Sequence, residues 1–258
     1  MGAWFQRLWA GFQKTVGPRH FFEISALWQP WLGWIAFLLI VLGTVWGLGF
    51  APPDYQQGNS YRIMFIHVPA AAIGMGGYAM MAVASFIYLV WKVKTAEWVA
   101  RSIAPLGGWF TLIALLTGSL WGKPTWGTYW VWDARLTSML LLLFLYWGVM
   151  ALFQAYAHAN DGGRMAALLT IVGVINLPII HYSVVWWNTL HQGSSFSFRH
   201  GPSMPPSMYL PLLINMAGFY ALFGWLVIVR TRQEILEREA RSAWVRDWLR
   251  AQESKHGF

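Results

Sequence analysis

The feature that most constrains this chain is a series of apolar runs that approach or exceed the ~18 residues a helix needs to cross a bilayer. Six can be placed, at about residues 31–50, 64–91, 103–121, 138–157, 166–187 and 207–229. No water reaches the hydrocarbon, so backbone N–H and C=O groups there must be satisfied within the segment, which a helix achieves. Only 11% of the residues are charged, against about 25% in an ordinary soluble domain. The expectation is therefore all-α: a polytopic membrane protein, residues 1–258 forming one membrane domain with six transmembrane helices. The second run is long enough to tilt. Pro178 lies inside the fifth, where neighbouring helices can re-satisfy the carbonyl it frees. Asn176 and His181 share that run and turn it toward other helices rather than lipid.

Lysine and arginine set the orientation. Fourteen of the 18 lie in the N-terminal segment, the second–third loop, the fourth–fifth loop and the tail; Arg62, Lys123, Arg135 and Arg199 occupy the other loops. The positive-inside rule then places both termini in the cytoplasm. Topology explains the net charge of +8 with no nucleic acid, and anionic membrane lipid is the matching partner. Trp4, Phe5, Leu8, Trp9 and Phe12 recur at helical spacing and predict a stretch lying on the membrane surface. That stretch lacks the continuous apolar core and small-residue cleavage site of a signal peptide. The tail, 230–258, reads as a solvated cytoplasmic helix, with Glu234–Arg238 and Glu237–Arg241 at four-residue spacing.

On the outer side, by this topology, lie loops 51–63, 121–137 and 188–206. His67 ends the first at the mouth of the second span, and His191 stands just beyond the fifth. A single interfacial histidine is more often a hydrogen-bonded structural residue than a ligand. Two at one depth can face each other across a flat cofactor, a standard haem arrangement. His181, about 15 Å deeper on a regular helix, is the second-choice ligand or a wall of the pocket. His20, His158 and His256 fall on the wrong side, and His200 reads as a surface residue.

Between those histidines runs WGKPTWGTYWVW, residues 121–132. An aromatic belt accounts for Trp28, Trp31, Trp46, Trp91, Trp98 and Trp225. It accounts poorly for Trp121, Trp126, Trp130 and Trp132 in one segment rich in turn formers. Rings grouped this way can form an apolar platform for a large planar ligand. Arg135, and with it Lys123 or Arg62, could hold carboxylates on that ligand. Asp133 could instead pair with Arg135 and tie the loop down. A porphyrin meets each requirement: axial imidazoles, stacking for its face, cations for its propionates. The chain has no cysteine, so no CxxCH motif exists and the haem would be haem b, held noncovalently.

WGKPTWGTYWVWDARLTS resembles the tryptophan-rich signature, ending in Trp-Asp, of haem-handling membrane proteins. Together with APPDYQQGNSYRI, HVPAA, NLPIIHYSV and WWNTLHQG, it makes the whole six-span body similar to the CcmC family of bacterial cytochrome c maturation. The resemblance implies haem bound at the periplasmic face of the inner membrane, with His67 and His191 at the axial-ligand positions. It implies that Trp121, Trp126, Trp130, Trp132, Asp133 and Arg135 belong to the haem-binding segment. It also implies delivery of haem to the membrane-anchored chaperone CcmE, with the ABC transporter subunits CcmA and CcmB and the small protein CcmD as companions. ATPase activity is then expected in a partner subunit, and no independent catalytic centre is evident in this chain. Two other classes stay open on the residues alone. A b-type haem electron-transfer subunit also uses histidine pairs, and a haem transport component would place its site near the midplane, where Pro178 and His181 lie.

Overall fold

The computed structural model describes residues 16–155, 162–187, 189–191, 196–197 and 201–256. The amphipathic stretch from Trp4 to Phe12, His158, Arg199 and His200 lie outside them. Six helical stretches are long and apolar enough to cross a membrane. Helix α1, Pro18–Val45, runs into a π turn, Trp46–Phe50. A 3-10 turn, Ser60–Ile63, leads into α2, Met64–Trp91, and α3 spans Lys94–Trp126. Then come α4, Ala134–Ala155, α5, Gly162–Gly173, α6, Asn176–Trp186, α7, Pro206–Arg238, and the short α8, Ala243–His256. Phe196–Ser197 pairs antiparallel with Gly201–Pro202 in the last large connection.

Helix α3 is longer than its apolar run at both ends. Glu97 sits in its first turn and Lys123 in its last, each matching the sign of the helix dipole. Gly127 ends it in the left-handed conformation, φ 79°, with its N–H bonded back to the Lys123 carbonyl at 3.0 Å. Trp121 and Trp126 are therefore helical, and the loop expected over 121–137 shortens to the segment between Trp126 and Ala134. Charges at helix ends truncate an apolar run without ending the helix.

The fifth span departs from expectation in the opposite way. Val174 and Ile175 donate to Ile171 and Val172, three residues back, and the α-helix restarts at Asn176. Pro178 thus falls in the first turn of α6, where a missing N–H frees no carbonyl of an upstream turn. Neighbouring helices have nothing to repair there. Asn176 is buried, and its side-chain amide donates to the Ser138 carbonyl of α4 at 2.8 Å.

Helices α2, α3 and α4 pack around a core containing Ile73, Tyr78, Met81, Ile103, Leu142 and Tyr146. The Tyr146 hydroxyl donates to the Gly74 carbonyl at 2.8 Å. Helix α1 packs on α7, and α7 returns against α2 and α3. The rest of α1 is bare hydrocarbon surface, with Leu27, Trp31, Phe37 and Val41 exposed, as a lipid-facing helix requires. At the chain-terminal end, Arg101 pairs with Glu234 at 3.1 Å, and Arg238 joins the same carboxylate. Because α7 stops at Arg238, the expected Glu237–Arg241 spacing is not helical.

One contact fixes the other end of the bundle. Pro69, inside α2, has no N–H for the Phe65 carbonyl four residues before it. The Asn215 side chain of α7 fills that gap, donating to Phe65 at 3.0 Å and accepting from Thr44 of α1 at 3.4 Å. Gly43 lets the α7 backbone come this near: a Cβ there would lie 2.8 Å from the Asn215 nitrogen. Three helices are thereby joined within one turn of His67.

Replacing Asn215 with leucine should leave the Phe65 carbonyl unpaired and cost about 1–3 kcal/mol. Thermal unfolding in detergent should show a lower midpoint. Adding Pro69→Ala, which restores the intrahelical donor, should recover most of the loss; two independent, additive losses would refute this account.

Candidate cofactor site

A cavity of about 320 Å³ opens at the His67 end, between the start of α2, the end of α3, the start of α4 and the residues after α6. Its size lies at the lower bound of small-molecule sites, about 300–1,000 Å³. His67, Trp121, Arg135 and His191 line it together with Met64 and Met139. Four sequence-predicted residues from four separate segments thus meet in one place.

His67 is held by α3. Its Nδ1 lies 3.0 Å from the Ala114 carbonyl and 3.1 Å from the Thr117 hydroxyl. A carbonyl can only accept, so Nδ1 carries a proton, and in the neutral ring Nε2 keeps its lone pair. Thr117 accepts as well, because its own hydrogen goes to Ile113 at 2.6 Å. Gly118 permits the approach: a Cβ there would stand 2.9 Å from His67 Cε1. The Trp121 ring meets the imidazole edge-on, 5.7 Å between centroids, and its Nε1 donates to Gln57 at 2.7 Å.

His191 is held differently. It stands beyond the end of α6, its ring 4.7 Å from that of Trp126 and tilted by 57°. Its Nδ1 lies 3.5 Å from Asp133 Oδ2, with the two side chains only 17% and 9% exposed. The other carboxylate oxygen, Oδ1, accepts from the Leu136 N–H at 2.8 Å and so caps the start of α4. Burial, followed by the Arg135 charge, pushes the His191 pKa below the ordinary value, and Asp133 opposes this. The imidazole is accordingly neutral at pH 7, the form that ligates a metal.

The remaining candidates separate. Trp130 packs against the main core with Nε1 buried and unpartnered among the described residues. Trp132, 76% exposed, stands edge-on to it at 5.4 Å. The four tryptophans therefore do not form one continuous platform. Two flank the histidines, one anchors the segment and one faces outward. Asp133 answers His191 and the α4 N-terminus, and no Asp133–Arg135 ion pair occurs among the described residues. Arg135 lines the cavity, and no ion pair holds it among the described residues.

Two of the proposed cations are already engaged. Lys123 donates to the Gly127 carbonyl at 3.0 Å and lies over the Tyr129 ring. Arg62 spends its guanidinium on the carbonyls of Gly47, Leu48 and Ala51, closing the end of the π turn. His181 is exposed on α6, whereas its neighbour Ile180 lines the cavity; successive helical residues point about 100° apart. The sequence reading missed Thr117, Gly118 and Gln57. The Thr-Gly pair inside an apolar run, one turn before Trp121, was the available signal.

Gly118→Ala should drive the new methyl into His67 and weaken haemin binding by about 10–100-fold, the usual effect of disturbing a ligand's supporting shell. Gly224→Ala, which meets nothing within 4 Å, is the matched control for a haemin titration. For His191, the pH dependence of diethyl pyrocarbonate modification should have its midpoint below 6.5, the ordinary histidine value. Asp133→Asn removes the contact that raises this pKa, so the midpoint should fall further; an upward shift would contradict the assignment.

The sequence matches the family described as Heme exporter protein C over residues 11–246. Heme exporter protein C of Escherichia coli (strain K12) is 51% identical over 242 residues, 94% of this chain and 98% of the relative. The Haemophilus influenzae protein of the same name is 46% identical over 239 residues, 93% and 97% of the two chains. A Marchantia polymorpha protein named "Putative cytochrome c biosynthesis ccmC-like mitochondrial protein" is 43% identical over 203 residues, 79% and 85% of the two chains. With matches of that length, on a six-span bundle that brings the two histidines to one cavity, the chain belongs to the CcmC family, Heme exporter protein C.

Proposed function

We propose that this protein binds haem b noncovalently and delivers it to the chaperone CcmE during cytochrome c biogenesis. It would act beside the transporter subunits CcmA and CcmB and the small protein CcmD, in the bacterial inner membrane. One observation carries the reading. Two neutral imidazoles reach the same cavity, each with Nδ1 beside an oxygen and no partner for Nε2 among the described residues. That is the donor set of a bis-histidine haem. Arg135 lines the cavity as a cation for a propionate, and methionine and aliphatic side chains supply apolar walls. When bound, haem supplies only its iron and its macrocycle; the chain orients it and keeps water from one face.

The excess of lysine and arginine at the chain-terminal end supports cytoplasmic termini and a periplasmic site. A cavity at the bundle end, with Trp132 and Tyr129 exposed beside it, supports hand-over to a partner better than electron transfer through the membrane. His181 is exposed on α6 and does not line the cavity, which favours a site at the bundle end over one at the midplane.

Purified protein should show a six-coordinate, low-spin haem spectrum. His67→Ala and His191→Ala should each abolish that signature, and unchanged spectra in both would sink the ligand assignment. Trp132→Ala should keep haem binding yet lower the yield of haem-loaded CcmE in membrane vesicles. Undiminished loading would show that the exposed ring takes no part in transfer.

A further inference from the structure

Asp133 stands behind His191 of the cavity wall, and its two oxygens face different groups. Oδ1 is satisfied by the α4 N-terminus at 2.8 Å. Among the described residues, Oδ2 is buried without a hydrogen-bond partner and faces His191 Nδ1, likewise buried and unpartnered, across 3.5 Å. Leaving two such atoms buried and unmatched costs stability. A slight closing of that gap would satisfy both at once, with Nδ1–H donating to the carboxylate. Unlike His67, which is set by an α3 carbonyl, His191 stands past the end of its helix and has no other polar contact among the described residues.

We propose that Asp133 is the positioning residue of His191: its Oδ2 holds the imidazole as the Nδ1–H tautomer and turns Nε2 toward the haem iron. The inference rests on the haem reading given above. The reasoning is general to metal sites, where a carboxylate on the distal ring nitrogen fixes the tautomer and makes the ligand more basic. Here the same carboxylate also caps α4, so the backbone of the tryptophan segment and the orientation of one axial ligand are set by a single side chain. Trp126 completes the arrangement by closing over the other side of the ring.

A cap-only role makes a different prediction, which allows the two to be separated. Asparagine and serine cap helix N-termini about as well as aspartate. If Asp133 only caps α4, Asp133→Asn and Asp133→Ser should both leave the haem spectrum unchanged. If it positions His191, asparagine presents either an N–H to the Nδ1–H or a weaker neutral oxygen, and serine is too short to reach. Both variants should then retain haem through His67, lose most of the six-coordinate low-spin signature and shift the haem midpoint potential upward.

Added imidazole distinguishes a mispositioned ligand from a damaged site. It should restore the low-spin spectrum of Asp133→Asn, as it should that of His191→Ala, because an external ligand needs no Asp133. A wild-type spectrum and potential in both variants would overturn the proposal. So would a lost signature that imidazole does not restore, since Asp133 would then hold the cavity rather than the ligand. Wild-type protein is measured alongside. If it lacks a bis-histidine spectrum, the haem reading fails; if it has one that both substitutions leave intact, only the role of Asp133 fails.

Discussion

The geometry of the site depends on where one proton sits. The Ala114 carbonyl can only accept, so its 3.0 Å contact with His67 Nδ1 fixes the tautomer. That contact in turn requires α2 and α3 to approach to a distance only glycine permits at position 118. The approach holds because the first turns of α2 are anchored elsewhere, through the Pro69-freed carbonyl of Phe65 and the Asn215 amide. Removing the proline alone would give the Phe65 carbonyl a donor in its own helix, and the tie to α7 would become optional. The kink residue and the distant amide act as one unit that sets the position of the ligand between them.

The tryptophan segment obeys a different logic from the one its composition suggests. Helix α3 continues through Trp126, so Trp121 is placed against His67 by helical geometry and not by a loop. The irregular part begins at Gly127, whose positive φ ends the helix and whose carbonyl receives Lys123. Asp133 then starts α4 as its cap. The segment is thus fastened at both ends by backbone chemistry. Between those ends, Trp130 is packed inward and Trp132 outward, a division that neither a membrane belt nor a flat platform would produce.

Much of this was legible in the sequence because the solvent is so restrictive. In hydrocarbon a span must be a helix, so six apolar runs gave six spans. The gathering of His67, His191, Trp121 and Arg135 followed from placing their segments at one end of those spans. What could not be read were the partners. Arg62 and Lys123 look like free cations in a string of letters, yet carbonyls exposed by a π turn and a helix C-terminus claim them. His181 reads as a pocket residue or second-choice ligand if the fifth span continues as one regular helix. The joint at Val174–Ile175 and the exposed face of α6 set it aside. Asp133 reads in sequence either as part of the haem-binding segment or as a partner for Arg135, whereas the folded chain sets its Oδ2 3.5 Å from His191, far along the chain.

The two imidazoles are supported unequally, and that inequality suits a carrier. His67 lies in the rigid first turns of a long helix, with two hydrogen-bond partners on its neighbour. His191 follows a helix end at which Trp187 is already extended, φ −133° and ψ 155°. Its orientation rests on a carboxylate and one aromatic ring. A ligand on regular helix moves only with the bundle, whereas one on irregular backbone can leave through a few dihedral changes. For the proposed hand-over, His67 would be the holding residue fixed to the bundle and His191 the one held by fewer contacts.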